Sequence, residues 1–164
     1  NGAFETNDVL QKLNTLAEFG IHSIEQPIAP RQEHAMKLVI TKSPIPIALD
    51  EELIAVYGAQ KVELLDFLKP HFIVLKPTLL GGLQECAEWI ALAKARNIGW
   101  WVTSYLESNV GLNAIAQFVA NYDLEIPQGL GTGGLYANNV ESNLSMESGH
   151  LRLGEKEKWT SPFT

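Results

Sequence analysis

The stretch Ile73-Val74-Leu75-Lys76 is a short apolar run that ends on a charged side chain. Two comparable runs precede it, residues 47–50 (Ile-Ala-Leu-Asp) and residues 22–25 (His-Ser-Ile-Glu), and the three charged ends are spaced 25 and 26 residues apart. In a barrel of alternating strands and helices, a repeat of about this length holds one strand, one helix and two loops. The pattern predicts three buried strands that bring two carboxylates and one ammonium to the same mouth of a barrel.

The alternation of strand and helix patterns continues along the chain. A β-rich run at residues 99–104 ends 28 residues after Lys76, and residues 125–130 follow about one unit later. Helical patterns occupy residues 9–17, 32–42, 60–68, 84–96 and 110–121. For the first helix, Thr6 or Asn7 is the expected N-cap and Gly20 marks the C-terminal end. Five successive strand–helix units predict a parallel sheet and the α/β fold class.

The composition is that of an ordinary α/β domain, with 46% hydrophobic and 19% charged residues. No apolar run approaches the roughly 20 residues that a membrane helix needs. The single cysteine, Cys86, has no partner for an internal disulfide, and no apolar or basic leader segment is visible. A cytoplasmic location is therefore expected.

The charge balance limits the classes of binding partner. The formal net charge is −7, and lysines and arginines do not cluster. Nucleic acids and anionic membranes are therefore not expected as partners. A small molecule or a metal-bound anion fits better, and the sequence is compatible with a homo-oligomer.

The length does not fit a whole barrel. A closed eight-stranded barrel takes about 250 residues, whereas this chain has 164 residues and five predicted strands. Asn1 lies directly before a helix, as if a strand had just ended, so we expect a barrel truncated at its N-terminus. Near the other end, residues 143–153 alternate with period two around Ser148 and Gly149, which predicts a β-hairpin.

Four segments carry a resemblance to a known family. They are residues 24–27 (Ile-Glu-Gln-Pro), 48–51 (Ala-Leu-Asp-Glu), 74–82 (Val-Leu-Lys-Pro-Thr-Leu-Leu-Gly-Gly) and 103–112 (Thr-Ser-Tyr-Leu-Glu-Ser-Asn-Val-Gly-Leu). In this order and at barrel spacing they resemble the enolase superfamily, its muconate-lactonizing subgroup, and within it the o-succinylbenzoate synthase family. The resemblance implies the C-terminal portion of a TIM-like (β/α) barrel, from the end of the third unit through the eighth strand at residues 1–142. Residues 143–164 would form a hairpin and tail that packs against the barrel or a capping domain.

The resemblance also implies a metal site. Members of the family bind Mg²⁺ through three carboxylates at the ends of the third, fourth and fifth barrel strands, and Glu25 and Asp50 match the last two. Mn²⁺ is an alternative ion, and hard divalent ions of this kind prefer carboxylate oxygens. Asn1 matches an Asn that follows the first ligand by two residues, so that ligand would lie upstream, as would a Lys-x-Lys pair of the second strand. Asn1 and Glu51 are expected to support the ligands.

The implied reaction is a dehydration, so the protein is expected to be a carbon–oxygen lyase. Water leaves 2-succinyl-6-hydroxy-2,4-cyclohexadiene-1-carboxylate by syn elimination, through a metal-stabilised enediolate, to give o-succinylbenzoate for menaquinone biosynthesis. Removing a proton next to a carboxylate requires stabilisation of the anion that forms. Lys76 is the expected catalytic residue of this chain, because the resemblance places its ammonium against the substrate ring, where it stabilises the anion.

The resemblance places the substrate-binding residues at the following strand ends. Ser104 is expected to bind the succinyl carboxylate, and Glu107 to orient a lysine or a substrate oxygen. The other expected substrate-binding residues are Pro77, Thr78, Leu130 and Gly131. Many relatives have an Asp where Gly131 stands, and dipeptide epimerases use acidic residues there. The surrounding glycines lack the Lys and the helix of a phosphate-binding loop.

Several alternatives remain at this stage. Taken singly, a carboxylate after a strand is more often a helix N-cap or a solvated loop residue. On the same scaffold, an N-acylamino-acid racemase or dipeptide epimerase would use Lys76 as a base. The chain could also be a non-catalytic barrel fragment. A metal-assisted aldolase is a further alternative that agrees less well with the four segments.

Overall fold

A four-stranded parallel sheet organises residues 1–154, the part of the chain that the computed structural model describes. The strands lie in chain order and each pairs in parallel with the next. They are β1 (Ile24–Glu25), β2 (Ile47–Leu49), β3 (Phe72–Leu75) and β4 (Gly99–Val102). The helices are α1 (Val9–Ala17), α2 (Glu33–Lys42), α3 (Ala59–Leu68), α4 (Pro77–Leu80), α5 (Leu83–Lys94) and α6 (Asn109–Val119). The predicted α/β class and parallel sheet are confirmed.

The strands form where the chain is apolar on both faces. All three residues of β2 and the last three of β3 are buried, as expected for parallel strands covered on both sides. The helices pack against these strands and complete the core, and Met36 of α2, Leu65 of α3 and Trp89 of α5 are fully buried. Cys86, also in α5, is a buried free thiol, and burial raises its pKa to about 12. This thiol therefore stays protonated at neutral pH.

The five predicted helices are all present, with ends within two residues of the expected ones. The predicted N-cap of α1 was wrong. Asp8 occupies the cap position, and its side chain makes no capping hydrogen bond. At the other end, Gly20 has a φ of 62°, a left-handed conformation that glycine adopts without strain.

The strand predicted at residues 125–130 was wrong in its extent. Only Gly129 pairs with the sheet, through a single parallel bridge to Thr103 beside β4. The backbones approach so closely that a Cβ on Gly129 would lie 2.4 Å from Thr103 Oγ1. The short helix α4 and a 3-10 turn at Glu51–Leu53 were not predicted, because four and three residues are too few to show periodicity.

The predicted hairpin is confirmed. Strands β5 (Leu144–Glu147) and β6 (His150–Leu153) pair antiparallel around Ser148 and Gly149. Both turn residues have positive φ, 49° and 77°, which is typical of tight two-residue hairpin turns. Leu144 and Leu151 pack against the core. Residues 155–164 of the predicted tail lie outside the described residues.

None of the helices within residues 1–154 has both the length and the apolar character needed to cross a membrane.

Candidate active site

Three charged side chains lie at the carboxyl edge of the parallel sheet. Glu25 is the last residue of β1, Asp50 follows β2 and Lys76 follows β3. Because neighbouring parallel strands run in the same direction, their ends meet at one edge, where ligand sites of α/β folds are found. The spacing of 25 and 26 residues along the chain therefore corresponds to adjacent positions in space.

Asp50 and Lys76 form an ion pair, in which the Lys76 ammonium donates to Asp50 Oδ2. The side chain of Asp50 is 4% exposed and that of Lys76 is 16% exposed. Burial raises the pKa of Asp50, and the hydrogen bond and charge of Lys76 act against that rise. The pair is thus a shielded carboxylate held against a cation that still reaches solvent.

Glu25 interacts electrostatically with both members of this ion pair. Partial burial, followed by repulsion from Asp50, raises the pKa of Glu25, while Lys76 acts in the opposite direction. A carboxylate whose pKa is raised by a neighbouring carboxylate, as that of Glu25 is by Asp50, favours a cation nearby. The arrangement can therefore hold positive charge, whether from the lysine or from a metal ion.

Glu51 bears on whether the site suits a divalent ion. Its Oε1 accepts a hydrogen bond from Asn1 Nδ2, whereas its Oε2 is buried without a hydrogen-bond partner. An unsatisfied buried carboxylate oxygen beside Glu25 and Asp50 fits the hard oxygen donors that Mg²⁺ and Mn²⁺ prefer. Within residues 1–154 no group of three His, Cys, Asp or Glu side chains could by itself hold a metal ion. The donors present therefore suit a partial site with two carboxylates.

The loop after β4 carries the next predicted residues. Ser104 is 6% exposed, and its Oγ shares a hydrogen bond with the Thr132 hydroxyl and accepts one from Leu106 N at 3.2 Å. Leu106 has a φ of 60°, an unfavourable conformation for its type. The Tyr136 hydroxyl donates to Leu106 O at 2.7 Å. Hydrogen bonds therefore fix this loop to the segment after the Gly129 bridge.

Glu107 lies between the loops that follow β3 and β4. It accepts hydrogen bonds from the Thr78 hydroxyl and, at 2.9 Å, from Tyr105 N. We expected it to orient a lysine or a substrate oxygen, but in the described part of the chain its hydrogen-bond partners are Thr78 and Tyr105. Pro77 is buried at the start of α4, where its fixed φ is compatible with a helix.

The last two predicted residues follow Gly129. Leu130 is 8% exposed and belongs to the core. Gly131 is exposed, and the nearest atom to a Cβ placed on it would be Met146 Cε at 3.8 Å. A Cβ at position 131 would therefore meet no steric clash.

Two residues around the site were not predicted, Gln26 and Thr132. Gln26 is completely buried next to Glu25, and its amide bonds to the backbone of Asp50. Its place in the Glu-Gln-Pro segment was a signal, but an isolated Gln usually lies on the surface. No sequence signal distinguished Thr132 from the glycines around it.

The fold and the site together define a segment of a parallel α/β barrel with an acid- and lysine-lined carboxyl edge. Residues 1–157 match the family described as enolase C-terminal domain-like. The chain belongs to this family, which confirms the superfamily resemblance.

The chain is similar to several curated relatives. It is 51% identical over 151 residues to an o-succinylbenzoate synthase of Desulfotalea psychrophila, covering 92% of this chain and 41% of that protein. It is 30% identical to an L-Ala-D/L-amino acid epimerase of a Maribacter species, over 75% of this chain and 35% of the relative. The crystal structure of MenC from Desulfotalea psychrophila superposes with a TM-score of 0.90, covering 92% of this chain and 42% of that one. The chain thus spans between 35% and 42% of the length of these proteins.

Proposed function

We propose that this chain is the C-terminal barrel part of an o-succinylbenzoate synthase, which removes water from a succinyl-hydroxycyclohexadiene carboxylate. The observation that carries the proposal is the 51% identity to the Desulfotalea psychrophila synthase over 92% of this chain. The Asp50–Lys76 ion pair at the carboxyl edge of the sheet also supports the proposal, because it supplies a carboxylate and an ammonium for the reaction. In this proposal residues 1–142 form the barrel portion, and residues 143–164 form the hairpin and tail.

Two observations favour an o-succinylbenzoate synthase over an epimerase as the function. The identity to the epimerase relative is 30%, compared with 51% to the synthase. In addition, Gly131 offers no carboxylate at the position where the resemblance places the acidic residues that hold a substrate ammonium in epimerases. A Cβ at this position would be in ordinary van der Waals contact with Met146, so a steric clash of the Cβ does not explain the absent acid.

Lys76 is proposed to stabilise the anion that forms when the substrate loses its proton. Asp50 holds the ammonium in place by an ion pair, and the shielded surroundings strengthen its interaction with a developing negative charge. An ammonium over an aromatic or conjugated ring gains roughly 1–2 kcal/mol from cation–π attraction when it is desolvated. Lys76 would therefore contribute more to the transition state than to the ground state.

Glu25 and Asp50 are proposed as ligands of a divalent cation, Mg²⁺ or Mn²⁺, with Glu51 and Asn1 beside them. When bound, such an ion supplies Lewis-acid stabilisation of a substrate carboxylate. The pKa of Glu25 supports this role, because it is raised first by burial and then by repulsion from Asp50, which places the two carboxylates in one electrostatic environment.

The substrate is proposed to lie against the loops after β3 and β4. Ser104 would donate its hydroxyl to the succinyl carboxylate, and Leu130 would provide an apolar contact. Glu107 would act by joining Thr78 to Tyr105, which holds the two loops at a fixed separation. Pro77 and Gly131 would bound the site on either side.

The cellular setting belongs to the same proposal. A cytoplasmic enzyme that acts on a small molecule, and not on nucleic acid or at a membrane, agrees with the net charge of −7 and with the free buried thiol of Cys86. Association into a homo-oligomer would be compatible with it.

The test uses the complete gene product in which this chain lies. The protein is mixed with the cyclohexadiene substrate and Mg²⁺, and formation of o-succinylbenzoate is followed in the ultraviolet. A parallel sample with dipeptides in deuterated water is examined for exchange of the amino-acid α-proton. The proposal predicts dehydration, and it is wrong if the protein exchanges α-protons but forms no o-succinylbenzoate.

A further inference from the structure

The side chain of Gln26 is completely buried, although it directly follows the exposed Glu25. Its backbone has a φ of 35°, a left-handed conformation that non-glycine residues rarely adopt and that clusters at functional sites. Gln26 is neither a proposed metal ligand nor a proposed substrate-binding residue. The hydrogen bonds of its amide indicate what this residue does.

Every hydrogen-bonding position of the Gln26 amide is used. Its Oε1 accepts from Asp50 N and from Glu52 N, both at 3.2 Å. Its Nε2 donates to Ile28 O and to Glu52 Oε2, both at 3.1 Å. An amide offers two donors and two acceptor positions, so this side chain is fully satisfied and has one orientation. It therefore joins the end of β1 to the turn that follows β2.

Glu52 completes the link. It is 2% exposed, and its Oε1 accepts from Arg31 N at 2.9 Å while its Oε2 accepts from Gln26. A buried carboxylate is stable only when its oxygens are hydrogen-bonded. Gln26 and Glu52 thus form one buried unit that holds two loops together, and loss of either partner leaves the other unsatisfied.

The unit acts directly on the conformation of Asp50. The backbone of Asp50 has φ −125° and ψ −87°, outside the helical and extended regions. Two interactions hold Asp50 in this conformation. Its backbone N–H donates a hydrogen bond to Gln26 Oε1, and its carboxylate forms the ion pair with Lys76. Groups that orient metal-binding side chains in this way typically change metal affinity when they are lost.

We propose that Gln26, with Glu52, is a positioning residue that fixes Asp50 so that its carboxylate faces Glu25. The unit thereby sets the affinity of the protein for a divalent cation. This inference rests on the proposed function, since it presumes that Glu25 and Asp50 bind such an ion. Gln26 therefore has a role separate from that of Glu25 in the Glu-Gln-Pro segment.

The first test is Gln26→Leu in the complete gene product, with Mn²⁺ alone as the probe. Binding is followed by electron paramagnetic resonance without substrate. The variant removes all four side-chain hydrogen bonds, and Mn²⁺ affinity is expected to fall by about 10- to 100-fold. In the metal-free protein, the peptide that spans residues 47–54 is expected to exchange its amide hydrogens faster, because Asp50 N and Glu52 N lose their acceptor.

If Gln26→Leu does not fold, a reciprocal pair of substitutions tests the inference instead. Gln26→Glu places two carboxylates in contact and is expected to weaken Mn²⁺ binding. Adding Glu52→Gln restores a donor opposite the introduced carboxylate, and is expected to bring the affinity back to within about threefold of the unsubstituted protein. A general loss of core stability would not be reversed in this way.

Gln128→Leu is the matched control. The Gln128 amide also accepts from a backbone N–H, that of Val102 at 2.8 Å, and donates to a backbone carbonyl, that of Ile126 at 3.0 Å. It lies away from Asp50, so its loss is expected to lower the melting temperature without changing Mn²⁺ affinity.

The outcomes separate this inference from the proposed function. If the unsubstituted protein binds Mn²⁺ and Gln26→Leu binds it equally well, the inference alone is overturned. The same holds if the double variant binds no better than Gln26→Glu. If the unsubstituted protein does not bind Mn²⁺, the proposed function fails and the inference fails with it.

Discussion

At the scale of single residues, the candidate site contains two acids that are more easily protonated than usual. The pKa of Glu25 is raised above 4.5 by partial burial and by Asp50, and that of Asp50 is raised above 3.8 by burial. Each carboxyl therefore binds its proton more tightly in the folded state than in the unfolded state. Its favourable contribution to stability is complete below the unfolded-state pKa and is lost as the pH rises through the folded-state pKa.

Glu25→Gln is therefore expected to stabilise the metal-free protein at pH 7. The gain should be less than about 1 kcal/mol, because Glu25 is exposed and solvent screens its repulsion from Asp50. The gain should shrink as the pH falls toward 4, where the native Glu25 becomes neutral. Urea unfolding with a chelator present, at both pH values, measures this difference. Glu63→Gln, at an exposed position of α3, is the control, and a loss of stability in Glu25→Gln at pH 7 would contradict the account.

At the scale of secondary-structure elements, the sheet ends in one bridge between Thr103 and Gly129. Gly129→Ala is expected to break this bridge, because the new Cβ would lie 2.4 Å from Thr103 Oγ1 and 2.7 Å from Thr103 Cβ. Overpacking of this kind typically costs about 1–3 kcal/mol. The free energy of unfolding in urea measures it. Gly134→Ala is the control, since a Cβ there has no neighbour within 4 Å, and equal effects of the two substitutions would refute the prediction.

Helices α3 and α5 are joined by a buried lysine. The side chain of Lys61 is 1% exposed and bonds to Glu85 and Glu88, and its ammonium lies 5.5 Å from the centre of the Trp89 ring. The substitutions Glu85→Gln and Glu88→Gln together leave a buried ammonium without a counter-charge. Since both carboxylates are partly exposed, we expect a loss of about 2–3 kcal/mol.

Lys61→Met is expected to cost less than the loss of both carboxylates, because an apolar side chain of similar length fills the same space. The comparison of unfolding free energies at pH 7 decides this. A greater loss in Lys61→Met would mean that the ion pairs themselves, and not the avoidance of an unpaired charge, stabilise the contact between α3 and α5.

The elements differ in how far the sequence predicts them. The ends of β2 and β3 were predictable because an apolar run that closes on a charge reflects burial directly. The end of β1 was predictable from the spacing alone, and the prediction that this strand is buried was wrong, since Ile24 is half-buried and Glu25 is exposed. The segment around Gly129 reads as a strand, but it forms a single bridge where only glycine allows the close approach to Thr103. The hydrogen bond between Thr78 and Glu107 joins residues that are 29 positions apart in the chain, so it cannot be predicted from local periodicity. The burial of Gln26 likewise follows only from the folded arrangement of β1 and β2.

At the scale of the whole molecule, the parallel order of the strands places four candidate residues at one edge. Glu25, Asp50 and Lys76 end three adjacent strands, and Ser104 follows the fourth. The chain spans 41% and 35% of the length of the two curated relatives.

The central claim is that Lys76 and Asp50 act in the dehydration of a succinyl-hydroxycyclohexadiene carboxylate. The most direct measurement is the turnover number of the complete gene product with that substrate and saturating Mg²⁺, compared with Lys76→Ala, Asp50→Asn and the control Lys42→Ala. Loss of a group that stabilises charge in the transition state is expected to lower turnover by about 100-fold or more, whereas Lys42, exposed in α2, should have no effect. Melting temperatures within a few degrees of the unsubstituted protein would show that the loss is not one of folding. Turnover by Lys76→Ala or Asp50→Asn equal to that of Lys42→Ala would contradict the account.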